Sequence, residues 1–170
     1  MDFLELAKAR YSVRSFDKTP VPPEITEKIV EAGLAAPTAH NYQPQKIIVV
    51  SSEDGPARFR KCTPCHFNAP LAFIVSYDKN ICWNREIDGK SSGDIDASIA
   101  ATQMMLEAAD LGIGSTWIMY FDPDAVKTEF AFPDNLEPVA LFAMGYPAAD
   151  AEPSPKHFSR KDPAEIVSYV

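Results

Sequence analysis

The sequence predicts an α+β fold, a mixed sheet covered by helices. Four short apolar or β-branched runs, at about 46–51, 71–77, 113–118 and 138–144, read as strands. The stretches between them carry apolar residues at helical spacing, above all 94–111. Strands and helices alternate, but their spacing does not suit a simple βαβ ladder, which leaves a mixed sheet with helices packed on it.

Taken in order, Phe3, Leu4, Leu6 and Ala7 give a short amphipathic helix that ends near Arg10. The TPVPPE stretch from Thr19 is a loop, with Pro22 or Pro23 close to a helix start, where a missing N–H is harmless. Ile25, Ile29, Val30, Gly33 and Leu34 predict a helix over about 23–35, ended by Ala36-Pro37. The polar, turn-rich segment PTAHNYQPQ, 37–45, leads into a buried strand from Lys46 to Val50. A short helix over about 54–61 precedes a second strand within Ala69–Tyr77. Residues 78–93 form a long polar loop with one Trp, a length that suits a lid or binding loop. In 94–111, Ile95, Ile99, Met104, Met105, Leu106 and Leu111 alternate with alanines, and Gly112 is placed as the stop. Apolar residues occur nearly all round this helix, so it is central or lies in a subunit interface. Ser115–Met119 reads as a strand or extended turn, Asp122-Pro123 opens a helix to about 130, and Glu137–Met144 is a strong strand. Residues 1–170 read as one domain with an extended, Pro-rich and charged tail from about 148.

Composition narrows the function classes. The chain has 170 residues and a formal net charge of -8, enough length for a real core. Its pI near 4.8 argues against a nucleic-acid partner. No apolar run approaches the roughly 20 residues that span a bilayer, so no membrane partner is expected. The start, MDFLELAKAR, carries acids and no apolar h-region, and the three cysteines suit reduced thiols; cytoplasm is the expected compartment.

Several groups could carry chemistry. Arg10, Ser12 and Arg14 place two guanidiniums and a hydroxyl within five residues of an acidic protein. Such a pair suits one small anion, a phosphate first, because guanidinium pairs its hydrogen bonds on phosphate oxygens; the bland alternative is solvated surface charge. Cys62, Cys65 and His66 form a CxxC beside a histidine, but it follows a helix rather than a strand, and no second ligand pair completes a zinc site. The CxxCH order has no c-type haem context in a cytoplasmic chain. Gly112-Ile-Gly114 follows a helix and lacks a third glycine, so it reads as a helix cap and tight turn. There is no GxSxG string, and no histidine is paired with a nucleophile. Asp94 and Asp96 point to different sides of a helix and make no acid–base pair; Asp94 reads as an N-cap or first-turn acid. Thr38, Asn41 and Gln43 offer hydroxyl and amide groups that an extended run would aim to one side, fit for a heterocycle. The alternative is an ordinary Asx-rich loop.

Taken together, RYSVRSF, APTAHNYQPQKIIVV, IDASIAATQMMLEAADLGIGSTWI, VALFAMGYP and SRKDPAEIV resemble, in order and spacing, the blocks of the flavin-dependent nitroreductase family. The resemblance runs along essentially the whole chain. It implies a nitroreductase-like three-layer sandwich, with a mixed, mainly antiparallel sheet between helices, working as an intertwined homodimer with FMN at the subunit interface. Arg10, Tyr11, Ser12 and Arg14 match the segment that holds the flavin phosphate and ribityl chain. Arg160 or Lys161 matches a second cationic contact from the tail. Pro37, Thr38, Ala39 and Asn41 match the segment that reaches the flavin from the other subunit, with Gln43 beside it. Trp117, Ile118 and Met119 match the stretch whose backbone amide faces flavin N5. No catalytic side chain is implied, because the flavin carries the chemistry. The resemblance further implies a ping-pong cycle, in which NADH or NADPH reduces the flavin and a nitroaromatic, quinone or similar small-molecule acceptor reoxidises it.

The chain departs from the family in two places. Gln45 stands where many members have Trp, and the long helical excursion of the larger nitroreductases is missing. The 78–93 loop is the remaining lid candidate, and Trp83, with Arg85, is expected to border the substrate space. The alternatives are a specialised enzyme of the same fold, such as a dehalogenase or oxidase, a flavin carrier without turnover, and a thiol or metal-binding protein.

Overall fold

The computed structural model describes residues 2–170. Its elements are α1 (Phe3–Ala9), α2 (Pro23–Leu34), β1 (Gln45–Val50), α3 (Gly55–Cys62), β2 (Leu71–Asp78), α4 (Gly93–Asp110), β3 (Gly114–Ile118), α5 (Pro123–Glu129) and β4 (Leu136–Gly145). The strands form one sheet in the order β1-β2-β4-β3, and every strand pairing is antiparallel. The expected mixed character reduces to an isolated parallel bridge between Ser12 and Ser115.

Both faces of the sheet are covered, which explains the continuous apolar runs of β2 and β4. Phe73, Val75, Phe142 and Met144 pack with Ile29 of α2 and with Ala97, Ala101 and Met104 of α4. Ala72, Ile74, Leu141 and Ala143 pack the other way, with Phe59 of α3 and Val126 of α5. The result is three layers, α2 and α4 on one face, α3 and α5 on the other.

Helix α4 is the axis of the molecule. Its buried stripe runs Asp96, Ala100, Met104, Ala108, a four-residue repeat that keeps one face inward. It ends at Gly112, whose φ of +76° suits the left-handed C-terminal stop, with the Ile113 N–H returning to the Ala108 carbonyl at 2.7 Å. The GIG string is a helix cap.

The 37–45 segment differs from the extended run that alternation would require. Ala39–Asn41 forms a 3-10 turn, and His40, Asn41 and Gln43 all take positive φ, at 52°, 55° and 51°. Thr38 and Asn41 are also three positions apart, so alternation could not have aimed both the same way. The tail folds back on the N-terminal segment: the Ala148 N–H donates to the Ser15 carbonyl at 3.0 Å and the Tyr11 hydroxyl to the Ala151 carbonyl at 3.3 Å.

Candidate functional site

The RYSVR segment is laid along β3. The Val13 N–H donates to the Ser115 carbonyl at 3.0 Å, and the Thr116 hydroxyl returns a bond to the Val13 carbonyl. Val13 packs so closely on Gly114 that a Cβ there would come within 2.6 Å of it, so only glycine admits this contact. Arg10, Ser12 and Arg14 thereby project around a cleft of about 270 Å³, whose far wall is Ser154, Lys156, His157 and Arg160 of the tail. Burial, and then the charge of Arg160, lowers the Arg10 guanidinium below its ordinary pKa. Among the described residues, Arg10, Arg14, Lys156 and Arg160 form no salt bridge. Like charges gathered without a carboxylate favour an anion. The tail cation that joins this wall is Arg160; Lys161 is exposed and does not line it. Lys156 and His157 went unnoticed in the sequence, because only the fold-back of the tail brings them here. Ser115 has a buried Oγ with no hydrogen-bond partner, and it borders an adjoining cavity of about 180 Å³ that also touches Arg10 and Tyr11.

At the other end of β3, Trp117 turns into the α4-side core, edge-on to Phe142 at 5.2 Å, and Ile118 is buried on the opposite face. Met119 is 65% exposed and Tyr120 74%. Their turn is pinned from outside: the Thr63 hydroxyl donates to the Tyr120 carbonyl at 2.6 Å, and the Asp122 N–H to the Cys62 carbonyl at 2.9 Å. The CxxC segment is therefore a brace for the β3–α5 turn. Burial, with Glu129 and Asp122 nearby, pushes the Cys62 thiol up to about 11, far from a reactive thiolate. Among the described residues no three His, Cys, Asp or Glu side chains gather as a metal site.

The 38–43 turn is built by its own polar groups. The Thr38 Oγ accepts from the Gln43 N–H at 3.0 Å, and the Gln43 side-chain amide donates to the Asn41 carbonyl at 3.3 Å. The Ala39 N–H donates to the Asp96 carboxylate at 2.9 Å. Pro37, Asn41 and Gln43 stay exposed, and His40 stacks on Trp83 with centroids 5.3 Å apart. Trp83 thus joins the 78–93 loop to this turn. Arg85 turns back on Asp88, bidentate through its Nε and Nη2, which raises the Arg85 pKa. Asp96 was set aside in the sequence because it makes no acid pair. Its place on the repeat Asp96, Ala100, Met104, Ala108 is the signal that it is buried.

These pieces form two half-sites. The cation cleft lies near the C-terminal end of α4 and the 38–43 turn at its N-terminal end. Asp96 and Ala109 are about 20 Å apart at 1.5 Å per residue. The associated strands, β3 and β1, are opposite edges of the sheet, about 14 Å apart across three strand spacings.

The model of the Nitroreductase family matches residues 7–65 and 60–146. A Methanothermobacter thermautotrophicus protein named as an NADH dehydrogenase/NAD(P)H nitroreductase is 30% identical over 155 residues, 87% of this chain and 78% of that one. The crystal structure of a nitroreductase family protein from Clostridium difficile 630 superposes with a TM-score of 0.93 at 43% identity, covering 99% of this chain and 98% of that one. An FMN-dependent nitroreductase from Clostridium difficile R20291 superposes with a TM-score of 0.79 at 25% identity, covering 98% of each.

Proposed function

The chain belongs to the nitroreductase family, and on that premise we propose that it is an FMN-dependent NAD(P)H oxidoreductase, working as a homodimer with each flavin held between two copies. The observation that carries this reading is the cation cleft. A phosphate dianion needs at least two cations where water is excluded, and Arg10, Arg14 and Arg160 meet that need with Lys156 and His157 beside them. The residues present therefore fit the group. From Ser115, bridged to Ser12, the chain runs through β3 to Met119 just past its end, four residues or about 13 Å. That separation suits a phosphate at the arginines and a ring at the Met119 turn.

When bound, FMN would supply the two-electron chemistry between NAD(P)H and a nitroaromatic, quinone or similar acceptor. The protein supplies position. Arg10, Arg14 and Arg160 hold the phosphate and Ser12 its hydroxyl neighbour. The Met119 turn would border the flavin ring, and Thr63 braces that turn through the Tyr120 carbonyl. The 38–43 turn of the other copy would cover the ring with Thr38 and Asn41, and Trp83 would border the acceptor space.

The separation of the half-sites supports a two-copy site. One copy cannot close a gap of about 20 Å along a rigid helix. A two-fold pairing of α4 against α4 sets the N-terminal half-site of one copy beside the C-terminal half-site of the other. The outward face of α4 suits such a contact: Ile95, Ile99 and Leu106 line it with Phe3, and Phe3 and Ile95 are 69% and 50% exposed in a single copy. The test is direct. Purified protein should be yellow, and NADH or NADPH should bleach it anaerobically. A colourless protein that will not take up FMN overturns the reading.

A further inference from the structure

A closed circuit of contacts joins the 78–93 loop, α4 and the 38–43 turn, and one buried carboxylate is its hub. Asp96 is only 2% exposed. One of its oxygens accepts from the Ser92 hydroxyl at 2.7 Å, the other from the Ala39 N–H at 2.9 Å. The Ser92 N–H donates to the Trp83 carbonyl at 2.8 Å. The Trp83 ring then stacks on His40, the residue after Ala39, at an interplanar angle of 28°. Among the described residues no lysine or arginine pairs with Asp96. Its partners are those two hydrogen bonds, and it sits in the first turn of α4, where the helix dipole favours a carboxylate. A buried carboxylate is costly without such partners, and removing it leaves the Ala39 N–H and the Ser92 hydroxyl unpaired. The turn it holds contains three residues at positive φ, a conformation that side chains other than glycine rarely keep unaided.

We propose that Asp96 is a positioning residue that locks the flavin-facing 38–43 turn to the loop bearing Trp83, so that one buried group sets both FMN affinity and the fit of planar acceptors. This rests on the reading under Proposed function that the turn meets the flavin. Asp96 touches neither ligand; it acts through Ala39 on the turn and through Ser92 on Trp83.

The experiment measures FMN dissociation by flavin fluorescence, and KM for a planar naphthoquinone against KM for ferricyanide, which needs no stacking wall. Asp96→Ala should weaken FMN binding about tenfold or more, the usual size of an unpaired buried donor. Asp96→Asn keeps an acceptor for Ala39 and a partner for Ser92, and should restore FMN affinity to within about threefold of wild type. Trp83→Ala should raise the naphthoquinone KM in the wild-type background and add nothing in the Asp96→Ala background, with ferricyanide KM steady at saturating FMN. Tenfold weaker FMN in Asp96→Asn as well, or a Trp83→Ala effect that is undiminished without Asp96, overturns the proposal. So does an Asp96→Ala protein of native circular dichroism that binds FMN as wild type does. If Asp96→Ala does not fold, Ser92→Ala replaces it: it cuts only the Trp83 arm, and an unchanged naphthoquinone KM then overturns the coupling. Arg14→Ala separates the two readings. Loss of FMN in Arg14→Ala with none in Asp96→Ala sinks only this proposal, whereas wild-type protein without FMN affinity sinks the function itself.

Discussion

The two ends of α4 hold their half-sites by opposite means. At the C-terminal end, Arg10, Arg14, Lys156 and Arg160 share one cleft that, among the described residues, no carboxylate lines, and burial, then the charge of Arg160, lowers the Arg10 pKa. At the N-terminal end Asp96, Ser92 and the Thr38 hydroxyl tie the turn down with hydrogen bonds inside the fold instead. On the proposed reading, affinity and geometry would come from separate places: the gathered charge would draw a phosphate in, and the turn, already formed in a single copy, would set where a ring can lie.

Variants of the two ends should therefore fail differently. The largest effect is expected for Arg14→Ala combined with Arg160→Ala. Each charge-assisted bond to phosphate contributes about 1.5–3 kcal/mol, so FMN affinity should fall at least about a hundredfold. The FMN-free protein should melt no lower than wild type, because a repulsion with Arg10 is relieved. Next comes Asp96→Ala, which should lower the stability of the FMN-free protein by about 1–3 kcal/mol in urea titrations. If both variants lose the same apo stability, the contrast between the two ends disappears.

Ionic strength sharpens the contrast with a smaller effect. Raising NaCl from about 0.1 to 1 M shortens the screening length from about 10 to 3 Å, so FMN affinity should fall several-fold. The melting of the FMN-free protein should change little, since hydrogen bonds inside the fold are weakly screened. A pH scan supplies a control in neither region. The Cys62 thiol, 9.0 in ordinary surroundings, is raised to about 11 in the fold. The folded protein then keeps a proton that the unfolded chain loses, so this contribution is present below pH about 9 and is lost as pH rises toward 11. Urea midpoints should drop across that window, and Cys62→Ala should flatten the drop.

Most of the fold was legible because its signals are local. The continuous runs of β2 and β4, the helical spacing of α2 and α4 and the stop at Gly112 each depend on a few neighbouring residues, and the elements fall within about two residues of the predicted ranges. The cation half-site was legible in part. Arg10 and Arg14 stand together in the chain, while Lys156 and His157 join them only through the tail's bonds to Ser15 and Tyr11. The turn was the least legible. Positive φ at His40, Asn41 and Gln43 is held partly by the turn's own Thr38 and Gln43 bonds and partly by the Ala39–Asp96 bond, 57 positions apart, which no window of local sequence contains. Thr63 was hidden for the same reason: the CxxC drew attention to its sulfurs, and its hydroxyl does the bracing.

On the proposed reading, each flavin would be held by the cation end of one copy and the turn end of another. Subunit complementation separates that arrangement from a site built by one copy. Arg14→Ala and a Thr38→Ala/Asn41→Ala variant are each prepared without flavin, mixed, allowed to exchange subunits and titrated with FMN. A heterodimer then carries one site with both defects and one with none, so the mixture should regain tight binding of one FMN per heterodimer that neither variant shows alone. If the mixture binds no better than its two components, both halves of the site come from the same copy and the account is contradicted.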